Sequence, residues 1–180
     1  MTSPFRSTTE LMVQYARYHR DQRNISTHFI GIPLIVFAIG VFLARAQVGV
    51  SQMHLTAAWV LWIVTTAWYL TRGNMLLGLA TVAVNAALIA LAHPFAGGST
   101  LSWLVCGILT LFTGWVLQFI GHYYEGRKPA FVDDLVGLLI GPMFIVGEAL
   151  FAAGLCRPLA AEIECRAGPT RLRDLAHPVA

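Results

Sequence analysis

Two clusters of polar residues sit where long apolar stretches begin and end. Tyr15-x3-His19-x4-Asn24-x3-His28 precedes the first, and Gln118-x3-His122-x2-Glu125-x-Arg127 closes a later one. Imidazole nitrogens combined with a carboxylate suit iron(II), zinc or manganese better than calcium, and histidines with one carboxylate and vacant positions suit an oxygen-activating iron. His122 and Glu125 are three residues apart, so they share a face of a helix. A single histidine at a membrane boundary is more often an anchor or a packing residue than a ligand. Glu125 has an equally good alternative in a solvated pair with Arg127 or Lys128. The convergence of three histidines puts a metal site on an equal footing with these readings. Cys106, Cys156 and Cys165 have neither knuckle spacing nor a disulfide framework, which argues against a closed structural zinc site.

The elements that must position these residues are set by composition. Of 180 residues, 57% are hydrophobic and 12% charged, far from a soluble domain and diagnostic of a membrane protein. Apolar stretches at 28–44, 53–70, 75–92 and 101–121 approach or reach the ~20 residues that cross a bilayer. A fifth, 135–155, carries Glu148 and is interrupted by Gly137, Gly141, Pro142 and Gly147, so it either crosses or enters and returns among the other helices. The expected fold is an all-α polytopic membrane bundle of four to five transmembrane helices with an N-terminal amphipathic helix. It forms a single membrane domain: a cytoplasmic helix and turn over 1–27, the bundle over 28–155 and a polar tail over 156–180. Ala44-Arg45-Ala46 mimics a signal-peptide cleavage site, but the charged region before it is too long and cleavage would discard His19 and His28.

Basic residues define the orientation. Arg6, Arg17, Arg20 and Arg23 precede the first span, Arg72 separates the second from the third, and Arg127 and Lys128 follow the fourth. The opposite loops offer only Arg45, so the N-terminus belongs in the cytoplasm. The net charge of +3 then meets anionic headgroups and calls for no nucleic acid. Short loops and the lack of a targeting segment favour a bacterial inner membrane, or the endoplasmic reticulum if the cell is eukaryotic. Oligomeric state leaves no mark in the sequence.

An even number of crossings between His28 and His122 returns the second cluster to the face where the first lies, so the two can meet. Nine residues at ~100° each put His19 and His28 on opposite faces of an unbroken helix. Both can point inward only if the helix breaks. Asn24, Ser26 and Thr27 are capping residues, which predicts a short helix from Tyr15 to Arg23, a turn near Asn24 and a span beginning close to His28. Gly31-Ile32-Pro33 then falls in its first turns, where proline is best tolerated. Glu148, an acid in an apolar stretch, must face the interior and find a ligand histidine or a basic partner. His54 and His93 fall on the opposite side and His177 in the tail, so all three are excluded. Asn85 reads as an interhelical hydrogen-bonding residue, and the tryptophans as lipid-facing or interfacial.

The combined pattern Tyr15-x3-His19-x4-Asn24-x3-His28-x2-Gly31-Ile32-Pro33, Gln118-Phe119-x-Gly121-His122-x2-Glu125-x-Arg127-x-Pro129-Ala130 and Pro142-x-Phe144-x3-Glu148 resembles the small membrane family typified by yeast 2-hydroxy fatty acid dioxygenase, from about Tyr15 to Phe151. That resemblance implies an iron(II)-dependent dioxygenase that shortens a 2-hydroxy fatty acid by one carbon in α-oxidation. It implies His19, His28 and His122 as the iron ligands, with a lipid substrate and dioxygen as partners. Glu125 would be a fourth ligand or outer partner, Arg127 or Lys128 would steer the carboxylate, and Glu148 would support the site. Two other classes remain open on the residues: a different metal-dependent lipid enzyme, either a hydroxylase or a hydrolase, and a non-enzymatic carrier or assembly protein whose histidines hold helices together.

Overall fold

The chain is described here by a computed structural model covering residues 5–50, 53–129, 132 and 135–175; Ala130 and His177 lie outside them. Helix α1 (Thr8–Ala16) starts with a reciprocal cap, in which Ser7 Oγ accepts from Glu10 N–H and Glu10 returns a bond to Ser7 N–H. Such pairs satisfy two otherwise orphaned donors of the first turn. Leu11, Met12, Tyr15 and Ala16 are buried against the rest of the fold.

Helix α2 (Gln22–Leu43) is capped by Asp21, whose carboxylate accepts from Arg23 N–H. The break required between His19 and His28 therefore spans residues 17–21 and not the neighbourhood of Asn24. Asn24, Ser26 and Thr27 lie inside the helix, and α1 ends before it reaches Arg23. Asp21 takes the cap because its carboxylate also grips the Arg23 guanidinium at 3.0 and 2.8 Å, which local propensity does not anticipate. Pro33 consequently sits mid-helix rather than in the first turns.

The expected span 53–70 is shortened. Its first residues form β2 (Met53–Thr56), antiparallel to β1 (Gln47–Val50), with Gln47 opposite Thr56 and Val50 opposite Met53. Helix α3 (Ala57–Leu70) keeps only 14 residues, about 21 Å of rise against a hydrocarbon core of roughly 30 Å. It still returns the chain to the histidine face, where Thr8 N–H and Oγ1 both bond to Arg72 O. Helices α4 (Met75–Ala96) and α5 (Thr100–Glu125) follow. Together with α2 they are long and apolar enough to cross a membrane, and exposed Ile30, Leu79, Leu109 and Phe112 give them lipid-type outer faces.

Helices α2 and α5 run antiparallel: the His28 ring meets His122 at one end, and Trp103 Nε1–H donates to Val41 O near the other. Between these contacts the backbones touch. A Cβ added at Gly31 would lie 2.9 Å from Gly114 O, and one added at Gly114 would lie 2.8 Å from Gly31 O. Small residues at such crossings let helices approach closely in an apolar solvent.

The fifth apolar stretch forms α6 (Gly137–Ala152), which bends by 114° into α7 (Arg157–Ala167). The bent pair would supply a fourth crossing only if counted as one span. Glu125, just before this stretch, and Arg171, just after it, both bond to the backbone around Arg20–Gln22. The chain thus leaves one face and returns to it, and the run from Ile140 to Gly147 in α6 is buried in protein. Irregular or broken helices at membrane depth survive in that setting.

Gly114→Leu should wedge α2 from α5, destabilising by about 1–3 kcal/mol and lowering metal retention, while Leu109→Ala on the outer face changes neither. Thermal melts in detergent with metal analysis check this. A Gly114→Leu protein that melts and loads like the parent would mean that the two backbones are not in contact there.

Candidate metal centre

His19 lies in the break between α1 and α2, His28 in the second turn of α2 and His122 in the last turn of α5. His19 and His28 are fully buried and His122 nearly so. One potential ligand atom from each lies within 4.8 Å of the others, a group that could hold a metal ion. The rings meet edge-on, with centroids 4.6, 4.9 and 5.1 Å apart. Tyr15, one turn before His19, stacks flat on its imidazole at 4.1 Å and packs against Phe144 of α6.

The hydrogen bonds fix the tautomers. His19 Nδ1 is 2.8 Å from Tyr15 O, and His28 Nδ1 is 2.8 Å from Asn24 O. A carbonyl only accepts, so each Nδ1 carries the hydrogen and each neutral ring presents a bare Nε2. Those two Nε2 atoms face each other at 3.0 Å. Two acceptors at that separation need an electropositive partner between them. A shared proton would leave a cation in a fully buried space, and burial, followed by the neighbouring His28 and His122 rings, already pushes the His19 imidazolium well below the ordinary histidine range. A divalent metal ion would meet the need, since neutral imidazole nitrogens are common ligands for one. His122 Nδ1 is also buried and makes no hydrogen bond of ordinary geometry, which leaves room for a partner from outside the chain. The residues therefore fit a divalent metal with histidine ligands whose outer nitrogens are held by backbone carbonyls, the usual way that such ligands are oriented.

Glu125 is placed differently from a ligand. Its carboxylate accepts from Arg20 N–H at 3.0 Å, Asp21 N–H at 2.8 Å and Asn24 Nδ2–H at 3.0 Å. These bonds hold the helix break from which His19 and His28 project. Glu148 forms a 3.7 Å ion pair with Arg20, so it found the basic partner rather than a histidine. Arg127 is exposed and donates from Nη1 to Arg17 O. The side chains of Glu148 and Arg127 thus bond to groups other than the histidine rings. His93 is exposed on α4, and His54 lies on β2.

Sequence reasoning missed the C-terminal strap. Arg171 N–H donates to Arg20 O and Arg171 O accepts from Gln22 N–H, a short parallel bridge to Asp21. Arg173 N–H bonds to Asp21 Oδ2, and Arg23 Nη2–H to Arg173 O. Burial would raise the Asp21 carboxyl, but the bonds from Arg23 and Arg173 prevail and hold it at about 2. No periodicity announces such a contact between residues 150 positions apart.

Against the histidines lies a cavity of about 180 Å³ between α2, α5 and α6, lined by His28, Ile32, Trp115, Gln118, His122 and Pro142 among others. Its walls are almost wholly apolar apart from the imidazoles, the Gln118 amide and the Tyr15 phenol. Gln118, quoted in the motif but given no role, stands beside His122 on this wall, with its Nε2 buried and unpartnered.

A family profile described as "2-hydroxy-palmitic acid dioxygenase Mpo1-like" matches residues 5–153. The chain belongs to that Mpo1-like family. It is 33% identical over 152 residues to the protein named 2-hydroxy-palmitic acid dioxygenase MPO1 from Saccharomyces cerevisiae, an alignment covering 83% of each chain. No solved structure matches. The three histidines, Glu125 and Glu148 fall inside the family match, whereas the strap at 168–173 lies beyond its end.

Glu125→Ala should weaken metal affinity by ~10–100-fold, the effect typical of removing an outer partner, with Glu125→Gln less affected because an amide oxygen still accepts; titration of the metal-free protein reads this, and equal affinity in all three would remove Glu125 from the site. Acid should also destabilise the metal-free protein. The unfolded His19 takes up a proton below roughly pH 6.5 while the folded one resists, so this stability is present above pH 6.5 and falls by up to about 1.4 kcal/mol per unit below it. His19→Gln should flatten that slope in melts between about pH 5 and 7.

Proposed function

We propose that this protein is an iron(II)-dependent dioxygenase that shortens 2-hydroxy fatty acids by one carbon. The observation that carries the reading is the pair of bare Nε2 atoms 3.0 Å apart beside an apolar cavity, in a chain whose family and yeast relative are named for oxidation of 2-hydroxypalmitate. The overall reaction balances with dioxygen as the sole oxidant: R–CH(OH)–COOH and O₂ give R–COOH, CO₂ and H₂O. The bond between carbons one and two breaks, carbon one leaves as carbon dioxide and carbon two becomes the new carboxyl carbon.

Iron(II), when bound, supplies the one-electron chemistry through which dioxygen reacts with a closed-shell acid. The chain supplies the rest. His19, His28 and His122 hold the ion, and the Tyr15 and Asn24 carbonyls keep the first two rings in the tautomer that offers Nε2. His28 and His122 form the inner wall of the cavity, so a substrate whose carboxyl and 2-hydroxyl lie at the histidines has its chain among Ile32, Ile35 and Trp115. Those walls also keep bulk water from the reacting carbons.

We further infer that the histidine face is cytoplasmic. Arg72 and Arg127 both meet the α1 region of the structure, through Thr8 and Arg17, while Arg45 bonds to Ala96 O and Gly98 O at the other end. That segregation is the one the positive-inside rule describes.

The test is to load purified protein with iron(II) and supply oxygen and 2-hydroxypalmitate. The expected products are pentadecanoate carrying one oxygen atom from ¹⁸O₂ and one equivalent of carbon dioxide, with activity lost in His19→Ala, His28→Ala and His122→Ala. Lipid hydrolysis without oxygen uptake, or product formation undiminished by all three substitutions, would overturn the assignment.

A further inference from the structure

The cavity at the histidines has a neighbour further along the bundle. A second cavity of about 120 Å³, lined by Gly40, Leu43, Ala58, Leu61, Trp62 and Tyr69 among others, shares Val36, Ile39, Leu138 and Pro142 with the first. On α2 the lining residues run His28, Ile32, Ile35, Val36, Ile39, Gly40 and Leu43. The series 28, 32, 35, 39 and 43 advances by three or four residues, with Val36 and Gly40 beside it, and so keeps to one side of the helix. From His28 to Leu43 the helix rises about 22 Å, more than half of the roughly 30 Å hydrocarbon core and so more than the depth filled by one leaflet's acyl chains. The two volumes together, about 300 Å³, reach the lower end of small-molecule sites.

The wall chemistry of the second cavity is that of a hydrocarbon host. Most of its polar groups are occupied within the protein: Thr65 Oγ1–H by Leu61 O and Trp62 O, Trp62 Nε1–H by Val82 O, and Tyr69 O–H by Leu139 O. Asn85 Oδ1, buried and without a hydrogen-bond partner, is the exception among the described lining residues. The rest of the wall is apolar, and methylene groups gain by leaving water for such a surface.

We propose that the two cavities form one slot for the acyl chain of the 2-hydroxy acid, and that Leu43, Ala58 and Leu61 at its far end set the longest chain accepted. The proposal rests on the reading of the histidine cluster as the end that takes the carboxyl group. The competing arrangement, in which the chain leaves sideways into lipid, imposes no upper length.

Ala58→Phe and, nearer the middle of the slot, Thr65→Phe are compared with the parent on a mixture of 2-hydroxydecanoate, 2-hydroxylaurate, 2-hydroxypalmitate and 2-hydroxystearate, with iron content measured alongside. Ala58→Phe should lower kcat/KM for 2-hydroxypalmitate and 2-hydroxystearate by about tenfold or more while leaving 2-hydroxylaurate within about twofold, since each excluded methylene forfeits a several-fold burial gain. Thr65→Phe should move the cutoff to shorter acids. An iron-loaded variant with the parent's length profile, or with equal loss at every length, overturns the slot. Should the parent turn over none of the acids, the proposed reaction fails, and fluorescence then decides the slot. Trp115 lines the first cavity and Trp62 the second. A 2-hydroxypalmitate brominated at its last carbon should quench emission that disappears in Trp62→Phe, and the 3-bromo isomer emission that disappears in Trp115→Phe. Identical quenching patterns for the two isomers, or failure of the terminal isomer to reach Trp62 in the parent when the variants do not fold, likewise overturn it.

Discussion

Two imidazole acceptors confront each other at 3.0 Å in a space closed to water, and much of the surrounding architecture is arranged to keep them there. Left alone, such a pair would turn aside or take up a proton. Rotation is opposed because each ring is anchored at Nδ1 by a backbone carbonyl one turn earlier, and His19 is also stacked on Tyr15. Protonation is opposed by burial. The carbonyl anchors come from Tyr15 and Asn24, each four residues before its histidine, so helical geometry on either side of the break determines the chemistry each ring presents.

That arrangement requires a break of fixed shape, and an exposed chain of five residues between two helices has no reason to adopt one. Glu125 supplies the constraint from α5, because its oxygens collect the N–H groups of Arg20 and Asp21 that no helix satisfies, together with the Asn24 amide. The same carboxylate lies one turn beyond His122 on α5, so the element that delivers the third histidine also shapes the segment that delivers the other two. The C-terminal strap closes the opposite side through Asp21, Arg23 and Arg20. Arg20 is drawn further inward by Glu148, an ion pair that joins α6 to the break. An acid that composition marks as costly in an apolar stretch is thereby given a purpose in positioning.

Much of the helical layout follows from local patterns. Apolar runs of adequate length gave α2, α4 and α5, and the spacing of nine between His19 and His28 demanded a break between them. Parity of crossings brought His122 to the same face, although α3 proved shorter than its apolar run because the first four residues of that run pair with β1. The position of the break escaped a local reading because several residues nearby can cap a helix. Asp21 prevails over Asn24 through Arg23 and through Arg173, which is distant in sequence and invisible to any window around the turn. For Glu125 the spacing from His122 left three roles open: ligand, outer partner, or a pair with Arg127 or Lys128. Its carboxylate meets backbone donors, whose availability depends on where the chain breaks.

Residue types and spacing by themselves determined that this is a membrane bundle, which three histidines can share one site, and that a helix must end between the first two. These follow from hydrophobic length and from 3.6-residue periodicity, which act over a few turns of chain. Only the tertiary structure decided that the Glu125, Glu148 and Arg127 side chains bond to backbone groups and to Arg20, that the fifth apolar stretch returns to the face it left, and that two cavities with lining residues in common lie behind the histidines. Those outcomes depend on distances between residues as many as 152 positions apart, set by close packing of α2 on α5 through Gly31 and Gly114 and by the pairing of charged and backbone groups once water is excluded.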